Sequence, residues 1–192
     1  MTKSVMSPRS SAPSGAREPR PFLFLEPRRP AVSGQPTFAA ADVALLDAIA
    51  APTVPSLVRS LVNFTIALQN RRGLEHGNAQ PIQLSVLNRR RRSARAWILA
   101  ILAGKTDAGT LHAVATQWLP TLCGTGPDLA RCLPPAGKII EFVRGGLTAT
   151  IFAEANDNLV PQARALHALE SLLAEHFGAV RAAARTPQSI RV

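Results

Sequence analysis

Several residue types that usually support a functional assignment are scarce or missing from this 192-residue chain. It contains no tyrosine, two tryptophans, two cysteines and four histidines. Two cysteines supply neither a zinc site nor a disulfide framework, and no two histidines have the spacing of a helical metal pair. The sequence therefore predicts no metal site and no cofactor. Cys123 and Cys132 are expected to be small buried residues, and a bridge between them would need an oxidising compartment.

Long apolar runs are also missing. The longest, residues 96–103, is much shorter than the roughly 18 residues that span a bilayer, and the N-terminus lacks the apolar segment of a secretory signal. We therefore expect no membrane span and no classical secretion. The Arg- and Ser-rich N-terminus has the composition of an organelle transit peptide, but its prolines oppose the amphipathic helix that such peptides form. Localisation stays open between an intracellular or virion-like setting and nuclear or organellar import.

No catalytic constellation is evident. The acidic residues Asp47, Asp128, Glu141, Glu154 and Asp157 are scattered along the chain, and nothing in the sequence pairs two of them for acid–base catalysis. Gly104-Lys105-Thr106 has the ending of a phosphate-binding loop. That loop requires glycine five positions before the Gly-Lys pair, where this chain has Leu99 within an apolar helical run. The sequence predicts a protein that is not an enzyme, with Gly104 ending a helix.

What the chain has in excess is arginine. Its formal net charge is +10, from 22 basic and 12 acidic residues. The basic excess of residues 1–36 and of residues 71–95 accounts for all of this charge, and the rest of the chain is balanced. Positive charge concentrated in two segments favours a polyanionic partner. The alternative is two solvated segments that happen to be rich in arginine.

The pattern of apolar residues predicts an all-α fold. Residues 1–37 hold seven prolines and scattered charge, and are predicted to be a disordered basic arm. Residues 38–185 show helical periodicity and predict a single bundle of five to six helices, followed by a flexible tail at 186–192. The third helix is expected from Leu87 to Ala103. The fourth is expected to end at Pro120, residues 123–135 to form a turn-rich connection, and the fifth helix to start at Ala136. Residues 82–87 alternate apolar and polar, which is also compatible with a short strand.

Four consecutive arginines open the third predicted helix. An apolar core cannot accept four guanidinium groups, so this turn is expected to project from the bundle or lie at its rim. Phosphate oxygens suit the guanidinium fork, and several such contacts give salt-dependent binding without sequence specificity. The predicted nucleic-acid-binding set, which includes the end of the second helix, is Arg71, Arg72, Arg89, Arg90, Arg91, Arg92 and Arg95. A nuclear-import signal, a lipid contact and a solvated face are the alternatives.

Two hypotheses from different classes follow. The first is a non-enzymatic helical protein that binds the phosphate backbone of RNA or DNA, with a layout similar to that of viral coat or nucleoprotein subunits. The apolar cluster Phe22, Leu23, Phe24 and Leu25 in the arm is then a predicted docking segment for a partner, including a second copy of the chain. The second is a regulatory or adaptor module that binds another protein, with the arginines solvated. Trp97 and Trp118 lie on apolar helix faces and are predicted to pack in the core, although each could also stack on a base.

Overall fold

The computed structural model of the chain describes residues 38–75, 82–126, 128–154 and 158–185. All regular secondary structure in these ranges is helical, which confirms the predicted fold class. The described residues belong to one unit, Gln35–Val192. The predicted arm with Phe22, Leu23, Phe24 and Leu25, and the predicted tail at 186–192, lie outside the described residues. The hypotheses attached to these segments stay predictions.

The helices follow one another through short connections. The first pair, α1 and α2, is joined by a single 3₁₀ turn, and α4 runs through a π-helical segment into α5. In chain order the elements are α1 (Ala40–Ala50), the 3₁₀ turn (Ala51–Thr53), α2 (Val54–Glu75), α3 (Leu84–Leu102), α4 (Ala108–Ala113), the π segment (Val114–Trp118), α5 (Leu119–Cys123), α6 (Leu129–Glu154) and α7 (Leu159–Arg185).

The bundle is built from two large helix pairs. One pair is α6 with α7 and the other is α2 with α3, while α1 packs against α7 and α6. The predicted apolar face of α3 is fully buried and comprises Trp97, Ile98, Ile101 and Leu102. Leu169, Leu173 and Val180 of α7 are buried as well. The helical periodicity of the sequence therefore identified the faces that form the core.

The connection between α3 and α4 matches the sequence signals. Gly104 has a φ of 64°, the left-handed conformation that glycine adopts readily at the end of a helix. Asp107 caps α4, because its carboxylate accepts a hydrogen bond from the backbone amide of Thr110 at 2.9 Å. These two residues confirm that Gly-Lys-Thr separates two helices and does not form a phosphate-binding loop.

Three predicted boundaries were wrong. Residues 84–87 form the first turn of α3, so the alternation that suggested a strand is part of a helix. The fourth helix does not end at Pro120. At the end of the π segment the amide of Leu119 donates a hydrogen bond to the carbonyl of Val114, five residues back. The α-helical hydrogen-bond pattern is therefore already interrupted before Pro120, which has no amide hydrogen to donate. This helix ends at Gly124, whose φ is 67°.

The third wrong boundary is the start of α6. It begins at Leu129, so most of the predicted connection is its first two turns, with Pro134 and Pro135 inside the helix. Asp128 caps it by accepting a hydrogen bond from the amide of Arg131 at 3.1 Å. Prolines remove two backbone hydrogen bonds, but Cys132 and Pro135 are buried in this segment. Their packing against neighbouring helices offsets that loss.

One helical stretch of the described residues, Ala40–Gly73, is long and apolar enough to cross a membrane by length and composition alone. The core helices of many folds without any membrane pass the same criterion. This stretch is interrupted by the 3₁₀ turn at Ala51–Thr53, and its side chains Leu46, Leu61 and Val62 are buried in the core. The absence of a membrane span stays a prediction.

Candidate nucleic-acid interface

The five arginines of α3 are divided between the core and the surface by their position around the helix. Arg89, Arg91, Arg92 and Arg95 are exposed, whereas Arg90 is only 1% exposed. Arg90 lies four, seven and eleven residues before Ala94, Trp97 and Ile101, all of which are buried. Residues at these separations share one face of an α-helix. The prediction that the whole basic turn projects outward was therefore wrong for Arg90.

The buried guanidinium of Arg90 is held inside the protein. Its Nη2 donates a hydrogen bond to Oε1 of Gln69 on α2. Its Nε and Nη1 have no hydrogen-bond partner among the described residues. Burial lowers the pKa of Arg90, because desolvation penalises the charged form. A side chain in this position cannot reach a polyanion at the surface, so Arg90 does not belong in the predicted binding set.

Three of the exposed arginines line one groove between α2 and α3, together with a fourth arginine that the sequence did not single out. Arg91, Arg92 and Arg95 come from α3, and Arg59 comes from α2. The groove has a volume of about 480 Å³. Its remaining lining residues, which include no acidic side chain, are Ala51, Val54, Pro55, Val58 and Leu99. We call it the arginine groove.

A second groove runs along the other side of Arg92. It has a volume of about 340 Å³ and is lined by Arg89, Arg92 and the half-buried Trp118, with Ser93, Ala96, Gln117 and Thr121. We call it the tryptophan groove. The prediction that both tryptophans pack in the core is therefore confirmed for Trp97, which is fully buried, and is only partly correct for Trp118. The indole of Trp118 lines the same groove as Arg89 and Arg92.

The two basic segments of the sequence are neighbours in the fold. The hydrogen bond between Gln69 and Arg90 places the C-terminal part of α2 beside the start of α3, and the two helices pack along their length. Arg71 and Arg72 are exposed at this end of α2, outside the lining of both grooves. The structure therefore brings Arg91, Arg92 and Arg95 together with Arg59, and leaves Arg71 and Arg72 in a separate position.

Four carboxylates of the described residues pair with other arginines. Asp42 meets Arg164 at 2.6 Å, Asp128 meets Arg131 at 3.1 Å, and Arg144 lies between Glu141 at 2.7 Å and Glu170 at 3.0 Å. Within the described part of the chain, none of Arg59, Arg89, Arg91, Arg92 and Arg95 forms such an ion pair. Exposed cations that form no ion pair within the protein can bind an external anion without first breaking such a pair.

Arg59 was not in the predicted set, and Trp118 was predicted to pack in the core, with base stacking as the alternative. Arg59 is a single basic residue within an apolar helix, so its charge could not be linked to the run at 89–95 without the packing of α2 on α3. Trp118 follows the apolar stripe of α4, which favoured burial. The π segment shifts the register of that stripe by one residue, because it adds a residue to the turn. Neither the packing of α2 on α3 nor the π segment can be recognised from the sequence pattern.

The remaining polar groups do not assemble a further reactive centre in the described ranges, apart from the two cysteines. No group of three or more His, Cys, Asp or Glu side chains there has the arrangement needed to hold a metal ion. His112 and His167 are exposed, while His176 is buried and hydrogen-bonded to Trp97. No protein-family model matches this chain, and no curated protein or solved structure is significantly similar to it.

Proposed function

We propose that this protein is a non-enzymatic helical module that binds the phosphate backbone of nucleic acid without sequence specificity. One observation carries the proposal: four exposed arginines from two helices line a single groove that contains no acidic side chain. Guanidinium groups bind phosphate oxygens through two parallel hydrogen bonds, and the groove offers several such groups side by side. Arginines that only contact solvent do not need to lie side by side in one groove.

The tryptophan groove extends the proposed surface. Arg92 lines both grooves, so a strand whose phosphates contact the arginine groove can place a base beside Trp118. Base stacking on an aromatic side chain contributes about 1–3 kcal/mol per base and tolerates any sequence. Single-stranded RNA or DNA, whose bases are accessible, is therefore the favoured form of the ligand.

A binding titration tests the proposal. A labelled random-sequence single-stranded oligonucleotide is titrated at low salt with the wild-type protein and with a variant carrying Arg91→Gln, Arg92→Gln and Arg95→Gln. The matched control carries Lys105→Gln, Lys138→Gln and Arg185→Gln, three exposed cations outside the arginine groove. We expect the first variant to bind at least about tenfold more weakly than the control, because it loses phosphate contacts as well as net charge.

Two results would overturn the proposal. One is equal affinity of the two triple variants, since binding would then depend on net charge alone. The other is binding to vesicles of anionic lipid with no measurable binding to RNA or DNA oligonucleotides. The same titration with double-stranded DNA checks the expected preference for single strands.

Binding of another protein is the second candidate function, and one observation favours it. Leu159 and Val160 in the first turn of α7 are 74% and 67% exposed, although both are large apolar side chains. These adjacent apolar side chains at the start of α7 are available for contact with another protein. Replacement of both residues by Ser is expected to leave oligonucleotide binding unchanged, which separates this function from the first.

A further inference from the structure

The only two cysteines of the chain meet inside the bundle. Cys123 is the last residue of α5 and Cys132 the fourth residue of α6. Both are free thiols, 8% and 0% exposed, and their sulfur atoms lie 2.9 Å apart. This separation is shorter than the roughly 3.5–4.0 Å of ordinary contacts between carbon atoms. The backbone of α5 and α6 thus holds the two sulfurs close enough to react with each other without a rearrangement of the helices.

Two cations lie near this dithiol. Arg90 of α3 and Arg72 of α2 both favour a negative charge on Cys123, and Arg72 does so on Cys132 as well. In the structure Sγ of Cys132 donates a hydrogen bond to Sγ of Cys123. A thiolate on Cys132 is stabilised by the reverse donation from the thiol of Cys123. This hydrogen bond is the largest influence that lowers the pKa of Cys132, while the same interaction and burial raise the pKa of Cys123. The pair therefore favours one thiolate, on Cys132, beside one protonated thiol.

Arg90 is the second cation near the dithiol. A buried guanidinium with two unpartnered nitrogen atoms is costly unless a negative charge lies nearby. Within the described ranges no carboxylate pairs with Arg90, and a negative charge on Cys123 raises its pKa against the larger opposite effect of burial. Arg90 therefore favours a negative charge at Cys123, whereas Arg72 favours one on either sulfur.

We propose that Cys123 and Cys132 form a redox-modification site, at which a hydroperoxide converts the two thiols into one intramolecular disulfide. The site is independent of the nucleic-acid proposal. Oxidation links the end of α5 to the start of α6, and it removes the negative charge that Arg72 favours.

The reaction takes place in two steps. The thiolate of Cys132 attacks one oxygen of hydrogen peroxide; an S–O bond forms and the O–O bond breaks to give a sulfenic acid. The departing hydroxide takes up the proton that Cys132 released on forming its thiolate and becomes water. The sulfur of Cys123 then attacks the sulfur of this acid. The S–S bond forms, the S–O bond breaks, and water leaves with the proton of Cys123. The two sulfurs together lose two electrons and the peroxide gains them, so one dithiol and one peroxide give one disulfide and two waters.

The first test uses the full chain, reduced and freed of reductant, with stoichiometric hydrogen peroxide. We expect both thiols to disappear, the mass to fall by two hydrogen atoms, and the product to run as a monomer on a non-reducing gel. Dithiothreitol should restore both thiols. Thiols that remain free under conditions that oxidise a cysteine peptide completely would overturn the proposal, as would a product that is linked between chains or carries sulfinic acid.

Serine variants test the order of the steps. In Cys123→Ser the sulfenic acid on Cys132 has no second thiol, so it should accumulate and be trapped by dimedone. In Cys132→Ser only the thiol of Cys123 remains. Because the cysteine that forms the thiolate has been removed, this variant should react with hydrogen peroxide several-fold more slowly. Circular dichroism establishes that both variants fold. Equal labelling of the two folded variants would overturn the assignment of Cys132 as the attacking sulfur.

The role of the cations is tested at Arg72, which is exposed and therefore tolerates substitution. Arg72→Gln should move the midpoint of thiolate formation, followed by ultraviolet absorbance, to higher pH and slow peroxide oxidation at neutral pH by roughly two- to fivefold. Arg59→Gln removes an exposed arginine from the same helix in the arginine groove and serves as the matched control. Identical titration midpoints in the two variants would overturn the contribution of Arg72.

Discussion

Arg90 shows how a single residue can differ from its sequence neighbours. All four arginines at 89–92 have the same chemistry, and their adjacency in the sequence suggested a single basic unit. The helix separates them, because Arg90 is in phase with Ala94, Trp97 and Ile101. The apolar face of α3 was recognised correctly from Trp97 onward. Extending it backward from Trp97 by three and then four residues reaches Ala94 and Arg90, so the periodicity already places Arg90 on the buried face.

Burial of Arg90 predicts a contrast with Arg92. Arg90→Met removes a buried charge and fills its place with an unbranched apolar side chain, so we expect oligonucleotide affinity to stay within about twofold of wild type. Arg92→Gln removes a cation that lines both grooves and should weaken binding by about three- to tenfold. Fluorescence anisotropy at one salt concentration measures both, after circular dichroism has confirmed folding. A larger loss in Arg90→Met than in Arg92→Gln would contradict the assignment.

His176 is the other buried ionisable residue with a clear structural role. Its Nδ1 accepts a hydrogen bond from the indole Nε1 of Trp97 at 3.1 Å, and its Nε2 donates to the carbonyl oxygen of Lys105 at 2.8 Å. Both ring nitrogens are used, and only the neutral ring with a hydrogen on Nε2 can make both bonds. Burial lowers the pKa of His176 below its ordinary value, while the Lys105 hydrogen bond and the charge of Glu175 oppose this.

This arrangement predicts how stability depends on pH. The unfolded chain protonates His176 near pH 6.5, whereas the folded protein excludes that proton until a lower pH. The contribution to stability is therefore fully present above about pH 6.5 and is lost as the pH falls toward the lower pKa of the folded state. In His176→Gln this part of the pH dependence should vanish. Urea unfolding between about pH 5 and 8 measures it, with the exposed His112→Gln as control. Parallel profiles for His176→Gln and wild type would exclude this role.

At the scale of helices, the sequence located the elements better than their ends. Gly104 and Asp107 marked a boundary correctly, because a left-handed glycine and a capping carboxylate act through their own backbone. Prolines were misleading at Pro120 and at Pro134–Pro135. Whether a helix tolerates proline depends on how the neighbouring side chains pack and on local departures from α-helical geometry such as the π segment. These are properties of packing, which periodicity does not contain.

The two central glycines of α6 allow a matched test of helix packing. A Cβ added at Gly146 would lie 2.7 Å from Cδ1 of Leu57 on α2, whereas a Cβ at Gly145 would meet no atom within 4 Å. The two helices therefore approach closely at Gly146 and not at Gly145. Gly145→Ala should raise the free energy of unfolding by about 0.5–1 kcal/mol through helix propensity. Gly146→Ala must displace Leu57 and should lower it by about 1 kcal/mol. If urea unfolding shows that Gly145→Ala and Gly146→Ala stabilise the protein equally, then α2 and α6 can separate slightly to accept the added methyl group.

At the scale of the whole molecule, the sequence predicted where the charge lies along the chain but not which charges share a surface. Arg91, Arg92 and Arg95 were in the predicted set, and the groove confirms that they lie together. Arg59 joins them only because α2 packs along α3, and Arg71 and Arg72 lie outside that groove for the same reason. Long-range packing decides the composition of a surface, and a single sequence contains little information about it.

The salt dependence of binding distinguishes the surface defined by the fold from the set defined by the sequence. Each phosphate contact contributes about 0.7 to the slope of log affinity against log salt concentration for a single strand. Arg59→Gln should reduce the magnitude of that slope by about 0.7, as much as Arg95→Gln, although 35 residues separate them in the sequence. Arg71→Gln, which has the same charge change in the same helix as Arg59→Gln, should leave the slope unchanged. A reduction for Arg71→Gln with none for Arg59→Gln would mean that the end of α2, and not the arginine groove, contacts the phosphates.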